Sequence, residues 1–374
     1  MTVPVRACVI GGGLAGAMLV WRLAGQTRWE LDLLTGVAGT SDATAASGGA
    51  VRGYERHREQ RRLASLSMVE LRSSRTLRRW ARFRPVDSVY LRSDANGVDT
   101  EIAEVEARLP GSVSRGSPAD LAACGWAGVP DDAVAVLERA AGYTSPAAWR
   151  TALLADRALR RRVSVRAAAA TAVVPSEHGS VAVTAGGQRR EYDAVVVATG
   201  AWTPPLLRSC GLPADGYRTK SIQYGVYATE GWCPPQFVDE ISQLYGRPTP
   251  DGGLLLGLPT ERWDVDPDLP PSLPGLTETA ARLARDRFPA LRLGRLLHAV
   301  TAADCYADQP VLCLRHVGGT GHLLTTFSGG AGGSVKTALA ASQLAADQLV
   351  AGSPIGAPPA GHPSVGPLQG RSQP

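Results

Sequence analysis

Lysine is nearly absent from this sequence. Only Lys220 and Lys336 occur, so arginine supplies the other 37 of the 39 basic residues. With alanine and glycine also abundant, this is the composition a high-GC genome produces, and the formal charge of +5 is not read as a nucleic-acid footprint. The densest arginine stretch, 56–84, interleaves Leu63, Leu66, Val69, Leu77 and Trp80 at helical spacing. That describes an amphipathic helix with a solvated basic face. Long apolar runs are missing too: no stretch of about 18 uninterrupted apolar residues is present to cross a membrane. Arg6 and the apolar residues after it imitate the start of a signal peptide, but Gly11, Gly12 and Gly13 interrupt the run and no cleavage site follows. The six cysteines, Cys8, Cys124, Cys210, Cys233, Cys305 and Cys313, form no CxxC pair, and the six histidines show no ligand spacing. A disulfide framework and a zinc site are therefore excluded, and reduced thiols in the cytoplasm are expected. No metal, nucleic acid or membrane is expected as a partner.

What is present organises around glycine. At 374 residues, with 44% apolar and 20% charged residues, the chain has the length and composition of a globular protein with two interleaved domains. Residues 3–10 read as a buried strand, 11–16 as a tight turn, 17–23 as the start of a helix and 29–34 as a second strand. This β-turn-α-β unit carries Gly11-x-Gly13-x-x-Gly16. In such a turn the first glycine makes the bend, the second lets the backbone approach a pyrophosphate, and the third lets helix and strand pack closely. The free N–H groups and the positive helix end then receive the anion. One partner of the motif is missing. An acidic residue about 20 positions on should bind the adenosine ribose, but Thr35 and Gly36 stand there, and Asp32 lies mid-strand, pointing elsewhere.

Further along, one long helix is expected from 58 to 80, a helix over 147–159, a strand over 163–166, and a hairpin of 180–184 and 189–192 turning at Gly186–Gly187. A buried strand follows at 194–198. The region 86–141 shows no clear period. Residues 217–264 read as β-rich, 277–287 as a helix, 323–326 as a strand and the residues up to 349 as a final helix. The tail 352–374, rich in Gly, Pro and Ser, reads as disordered. Two more turns of small residues follow apolar strands: Ala198-Thr199-Gly200-Ala201-Trp202, and Phe327-Ser328-Gly329-Gly330-Ala331-Gly332-Gly333. Three such turns are hard to explain without one large ligand.

The N-terminal GGGLAG turn, the loop 46–52 (ASGGAVR), Gly142-Tyr143 with Pro146, the ATGAW strand end and the FSGGAGG turn occur in this order. In that order they resemble the D-amino-acid, glycine and sarcosine oxidase superfamily, and most closely its monomeric sarcosine oxidase branch. The resemblance implies an α/β fold with a Rossmann-type FAD-binding domain (1–82, 146–216 and 298–351). It also implies a discontinuous α+β substrate domain built on an antiparallel sheet (83–145 and 217–297). The cofactor contacts it implies are Gly11, Gly13, Gly16, Thr35, Ser47, Gly48, Thr199, Gly200, Trp202, Cys305, Gly329, Gly330, Ala331 and Gly332. Arg52 takes the place of an arginine that clamps the substrate carboxylate, a task suited to a planar guanidinium fork. Cys305 resembles a cysteine bonded covalently to the flavin in some members.

Departures from that pattern are informative. The C-terminal turn has Gly333 where the branch has a carboxylate-binding lysine, with Lys336 one helical turn later. The lysine that promotes reaction with dioxygen has no clear counterpart, since 257–263 offers only Arg262 as a cation. The branch's substrate-pocket histidine is not evident either. Sarcosine is thus not the expected substrate. The expected activity is FAD-dependent oxidation of a C–N bond in an amino acid or small amine by hydride transfer to flavin N5, with Arg52, Lys336, Tyr306 and Arg262 as pocket candidates. Dioxygen or another acceptor would take the electrons. A dehydrogenase or desaturase using a non-oxygen acceptor, and a non-catalytic binding module keeping the fold, are the alternatives.

Overall fold

The structure is a computed structural model that describes residues 4–36, 42–176, 179–320, 323–330 and 332–352. Strand Arg6–Ile10 carries four consecutive buried residues, as expected of a strand covered on both faces. Its alternate side chains divide between two cores. Ala7 and Val9 pack with Met18, Leu19, Leu63, Met68, Ala341 and Ala345 of the helices on one face. Cys8 and Ile10 pack with Val173, Val183 and Tyr192 on the other. The second cover is a three-stranded antiparallel sheet, Ala170–Pro175, Val181–Ala185 and Gln188–Tyr192, which contains the expected hairpin.

The central sheet runs in the order Cys313–His316, Leu324–Ser328, Ala194–Val197, Arg6–Ile10, Glu30–Leu34, Val163–Arg166. All pairs are parallel except that of Cys313–His316 with Leu324–Ser328. Ile10 stands opposite both Leu34 and Val197, and Val197 opposite Thr326. The carboxyl ends of four strands therefore reach one edge, and the residues after them share one crevice. In a doubly wound sheet that crevice is where ligands bind.

Opposite this edge lies an eight-stranded sheet in the order Arg292–Ala307, Tyr217–Glu230, Gly253–Gly257, Tyr245–Pro248, Gln236–Asp239, Ser88–Arg92, Val134–Glu138, Val113–Gly116. It is antiparallel except where Gln236–Asp239 meets Ser88–Arg92. Helix Pro274–Arg287 packs on it through Ala280, Ala281 and Ala284 against Leu254, Leu256, Phe237 and Phe288.

Several elements differ from the expected ones. The helix expected over 58–80 is two, Arg58–Ser73 and Arg75–Trp80, because Ser74 adopts extended backbone and its side chain accepts from Leu77 N, capping the second. Asp156 interrupts the helix expected over 147–159 in the same way, accepting from Ala158 N. The region 86–141 holds strands Ser88–Arg92, Val113–Gly116 and Val134–Glu138 and helix Val98–Glu106. Strand Arg292–Ala307 was not expected at all, and the boundary at 297/298 falls inside it. It pairs with Tyr217–Glu230 along almost its whole length, so residues 298–307 lie in the eight-stranded sheet. The tail from 353 lies outside the described residues.

Candidate functional site

The turn after Arg6–Ile10 is built by close approach. A Cβ at Gly11 would run into the Ala198 carbonyl, and one at Gly16 into the Gly11 carbonyl. Gly16 accordingly locks helix Leu14–Gln26 to its strand and does not line the cavity. Gly13 is different, since a Cβ there would meet only Thr44 Oγ1, at 3.4 Å. Gly13 caps the helix without a side chain, and no acid occupies the first turn. Thr44 Oγ1 accepts from Leu14 N at 3.0 Å, and the rest of the positive helix end faces the cavity. Thr35 sits against Gly12 and donates weakly to the Arg166 carbonyl at 3.4 Å. Asp32 turns to the opposite cover, accepting from Tyr192 Oη at 2.6 Å and lying 3.3 Å from Arg190.

The other two turns are tied together by hydroxyls. Thr199 Oγ1 lies 3.0 Å from Thr203 Oγ1, which bonds Ser328 Oγ at 2.8 Å. The loop with Ser47 and Gly48 is fixed from behind, where Ala50–Val51 pairs with Gly142–Tyr143 and Thr144 N donates to the Gly49 carbonyl at 2.8 Å.

All these turns open on one cavity of about 1060 Å³. Of the residues expected to touch a cofactor, Gly11, Gly13, Thr35, Ser47, Gly48, Thr199, Gly200, Trp202, Cys305, Gly329 and Gly332 line it. Gly330 faces a small neighbouring recess with Gln60 and Pro310, and Ala331 lies outside the described residues. Burial pushes the Cys305 thiol up to about 12.

The far wall of the cavity is the eight-stranded sheet, with Lys220, Tyr224, Tyr245, Arg247, Asp304 and Tyr306. Arg52 and Lys336 line the cavity as expected, but they share a counter-ion. Arg52 Nη2 lies 2.6 Å and Lys336 Nζ 3.0 Å from the buried Glu55 Oε1. Burial pushes the Glu55 carboxyl up, yet Arg52 and then Lys336 outweigh it and hold it below the usual range. Arg52 also donates to the Tyr54 carbonyl at 3.1 Å.

Arg262 is not brought to the site. Its side chain is exposed and does not line the cavity. The cation there is Lys220, over the Trp263 ring at 4.4 Å and the Tyr306 ring at 5.7 Å, with Glu261 at 3.6 Å. Lys220 and Asp304 escaped sequence reasoning because they sit on paired strands distant in sequence, and Arg247 because its strand, paired with its sequence neighbours, carries no motif. One signal pointed at the first: both lysines of the chain line this cavity. Asp304 has no cationic partner among the described residues, and burial pushes its carboxyl up to about 6. Among the described residues no helix is long and apolar enough to cross a membrane, and no group of three side chains could hold a metal.

A parallel sheet with glycine turns converging on a large cavity, closed by an antiparallel sheet of polar residues, defines a dinucleotide-binding protein with a second domain over its ligand. The chain belongs to the family of FAD dependent oxidoreductases, whose family model matches residues 6–348. It is therefore an FAD-dependent enzyme. No curated protein sequence matches it. Among solved structures it is similar to the Tyr258Phe mutant of NikD, an amino acid oxidase essential for nikkomycin biosynthesis (19% identity, 93% of this chain and 94% of that one, TM-score 0.71). It is similar also to L-proline dehydrogenase from P. horikoshii (17%, 94% and 95%, TM-score 0.72). A third is L-alpha-glycerophosphate oxidase from Mycoplasma pneumoniae with FAD bound (14%, 93% and 95%, TM-score 0.73). At these identities the likeness establishes the fold alone. The residues present fit an FAD: a helix end without acid and lined by Thr44 for the pyrophosphate, small residues at three strand ends, and a cavity just above the 300–1,000 Å³ range usual for small-molecule sites.

Proposed function

We propose that the protein oxidises a carbon–nitrogen bond in an amino acid or a related small amine or imino acid. The observation that carries this reading is that one cavity is bounded on one side by the nucleotide turns and on the other by a wall of cations, tyrosines and a buried acid. When bound, FAD would supply the two-electron acceptor for a hydride leaving the carbon next to nitrogen. The chain's own residues do the rest. A cation on the wall holds the substrate's acid group, which orients the reacting C–H. Asp304 offers negative charge to the amine. Tyr306, edge-to-face with Trp263 at 5.1 Å between ring centroids, walls the pocket against water. No protein base is required if the amine enters neutral.

Within the family we place the chain nearest the monomeric sarcosine oxidase branch, on the order of its turns, with a substrate other than sarcosine. We divide it into an FAD part (1–82, 146–216 and 308–351) and a substrate part (83–145 and 217–307), moving 298–307 to keep strand Arg292–Ala307 whole. Six free cysteines support a reducing, cytoplasmic setting. Lys220 in the cavity supports dioxygen as the electron acceptor. Cys305 in the cavity wall supports a thioether to the flavin.

Anaerobic mixing of purified protein with a panel of amino and imino acids tests the reading. Bleaching of the flavin absorbance by one of them is expected, and no bleaching across the panel would overturn it. Stoichiometric peroxide in air identifies dioxygen as acceptor, whereas turnover without peroxide identifies a dehydrogenase. Colour kept in an acid-precipitated pellet of wild type but not of Cys305→Ser establishes the Cys305 bond, and colour released to the supernatant excludes it.

A further inference from the structure

Four cationic side chains line the cavity: Arg52, Lys220, Arg247 and Lys336. Three have a carboxylate beside them, Arg52 and Lys336 sharing Glu55 and Lys220 facing Glu261. Arg247 has none among the described residues. We propose that Arg247 is the residue that takes the substrate's carboxylate, while Arg52 and Lys336 of the same cavity share Glu55 as their counter-ion. This rests on the amine-oxidising reading above and gives its substrate an acid group.

The surroundings of Arg247 fit that role. It lies on Tyr245–Pro248, an inner strand of the eight-stranded sheet. Its Nε donates to the Gly48 carbonyl, and Nη1 donates to the Pro248 carbonyl at 2.8 Å. The guanidinium lies 4.4 Å from the Tyr143 ring centroid. These contacts fix the plane of the fork without neutralising it. Nη2 and the second hydrogen of Nη1 have no protein acceptor among the described residues, and Nη2 is not among the sealed, unpartnered atoms. The end of the fork is thus directed to open space in the cavity, in the arrangement that receives a carboxylate through two parallel bonds.

Charge makes the same point. Desolvation weighs against the charged form of Arg247, and Tyr143 and Tyr224, neither of them a carboxylate, oppose it. An arginine keeps its charge even so, and a buried charge without a counter-ion is costly unless a ligand provides one. The Gly48 contact places the fork at the seam between the substrate sheet and a cofactor-side loop. A carboxylate held there lies next to the cofactor rather than deep in the sheet. Arg52, the arginine first expected to hold it, already spends Nη2 on Glu55 and Nε on Tyr54.

The test is a flavin-absorbance titration of the FAD-loaded protein with acetate, benzoate and anthranilate, and with the matching neutral amides. Wild type is expected to respond to at least one acid and to none of the amides. Arg247→Met is expected to keep its FAD and its melting temperature and to bind that acid about 100-fold more weakly, the scale of losing one partner of a buried charge pair. Arg247→Lys keeps the charge without the fork and is expected to fall between the two, about 10-fold weaker than wild type. Should Arg247→Met not fold, Arg247→Lys carries the test. Binding by the tested variant within about threefold of wild type would overturn the assignment. So would a folded variant that purifies without FAD, which would assign Arg247 to the cofactor. A wild-type flavin bleached by amines but indifferent to every acid sinks this inference and leaves the activity standing. Indifference to both sinks the two together.

Discussion

Gly13 and Gly16 belong to one motif and do different things, which single substitutions can separate. Gly16→Ala drives a methyl into the Gly11 carbonyl, so the variant is expected to lose stability whether or not FAD is present. Gly13→Ala has room against the protein but intrudes where the cofactor's backbone approach is needed. It is expected to fold with an unchanged melting temperature as apoprotein and to bind FAD at least about 10-fold more weakly, read by flavin fluorescence quenching. Asp304 provides a pH-dependent counterpart. Its folded carboxyl sits at about 6 against an ordinary 3.8, so the native state binds this proton more tightly than the unfolded chain. Stability from this group is intact at low pH, falls as pH rises from about 4 to 6, and is fully lost above. At about 1.36 kcal/mol per unit, the cost at pH 8 is on the order of 3 kcal/mol. Asp304→Asn is therefore expected to stabilise the FAD-free protein at pH 8 and to gain far less near pH 4, measured by urea unfolding. Lys220 is a third case. A fixed cation stabilises negative charge developing on dioxygen, so Lys220→Met is expected to slow reoxidation of the reduced enzyme by about 10-fold or more while leaving anaerobic bleaching nearly unchanged. Equal reoxidation rates, followed by stopped flow, would remove Lys220 from that step.

Among the elements, the first β-turn-α-β unit was legible because every determinant of it is local. A buried strand has a continuous apolar run, and Gly11, Gly13 and Gly16 stand at the nucleotide-turn spacing between a strand and a helix. The break at Ser74 was harder to see. The apolar spacing from Leu63 to Trp80 continues across it, and a cap is decided by one hydroxyl that accepts from Leu77 N at 3.2 Å. Removing that acceptor in Ser74→Ala is expected to cost about 1 kcal/mol, seen as a lower urea midpoint with unchanged slope. Strand Arg292–Ala307 gave no local sign of itself. Residues 294–298 are all exposed, so no alternation of apolar and polar positions marks a strand, and its partner Tyr217–Glu230 is far away in sequence. Pairing alone creates it.

For the molecule as a whole, the cavity lies between two sheets and is lined by residues of both. Ligand that binds only the folded state stabilises it by RT ln(1 + [L]/Kd), roughly 2.7 kcal/mol at a free FAD concentration of 100 Kd. For a chain of this length that corresponds to a rise of about 3 °C in melting temperature, to be checked by calorimetry of apoprotein with and without FAD. A thermal transition unmoved by saturating FAD would contradict the cavity as its site.

The amino-acid sequence by itself determined the nucleotide turn, the order of the three small-residue strand ends and the family, because each is written within a few consecutive residues. It also left a compositional mark on the site, in the two lysines of an arginine-rich chain. Only the tertiary structure decided which cations are free to act. Glu55 is shared by Arg52 and Lys336, Arg262 faces solvent, Lys220 enters the cavity from a strand placed by distant pairing, and Arg247 enters it from a strand paired with its sequence neighbours. Counter-ion and burial are properties of neighbours in space, and most of these neighbours are far apart along the chain.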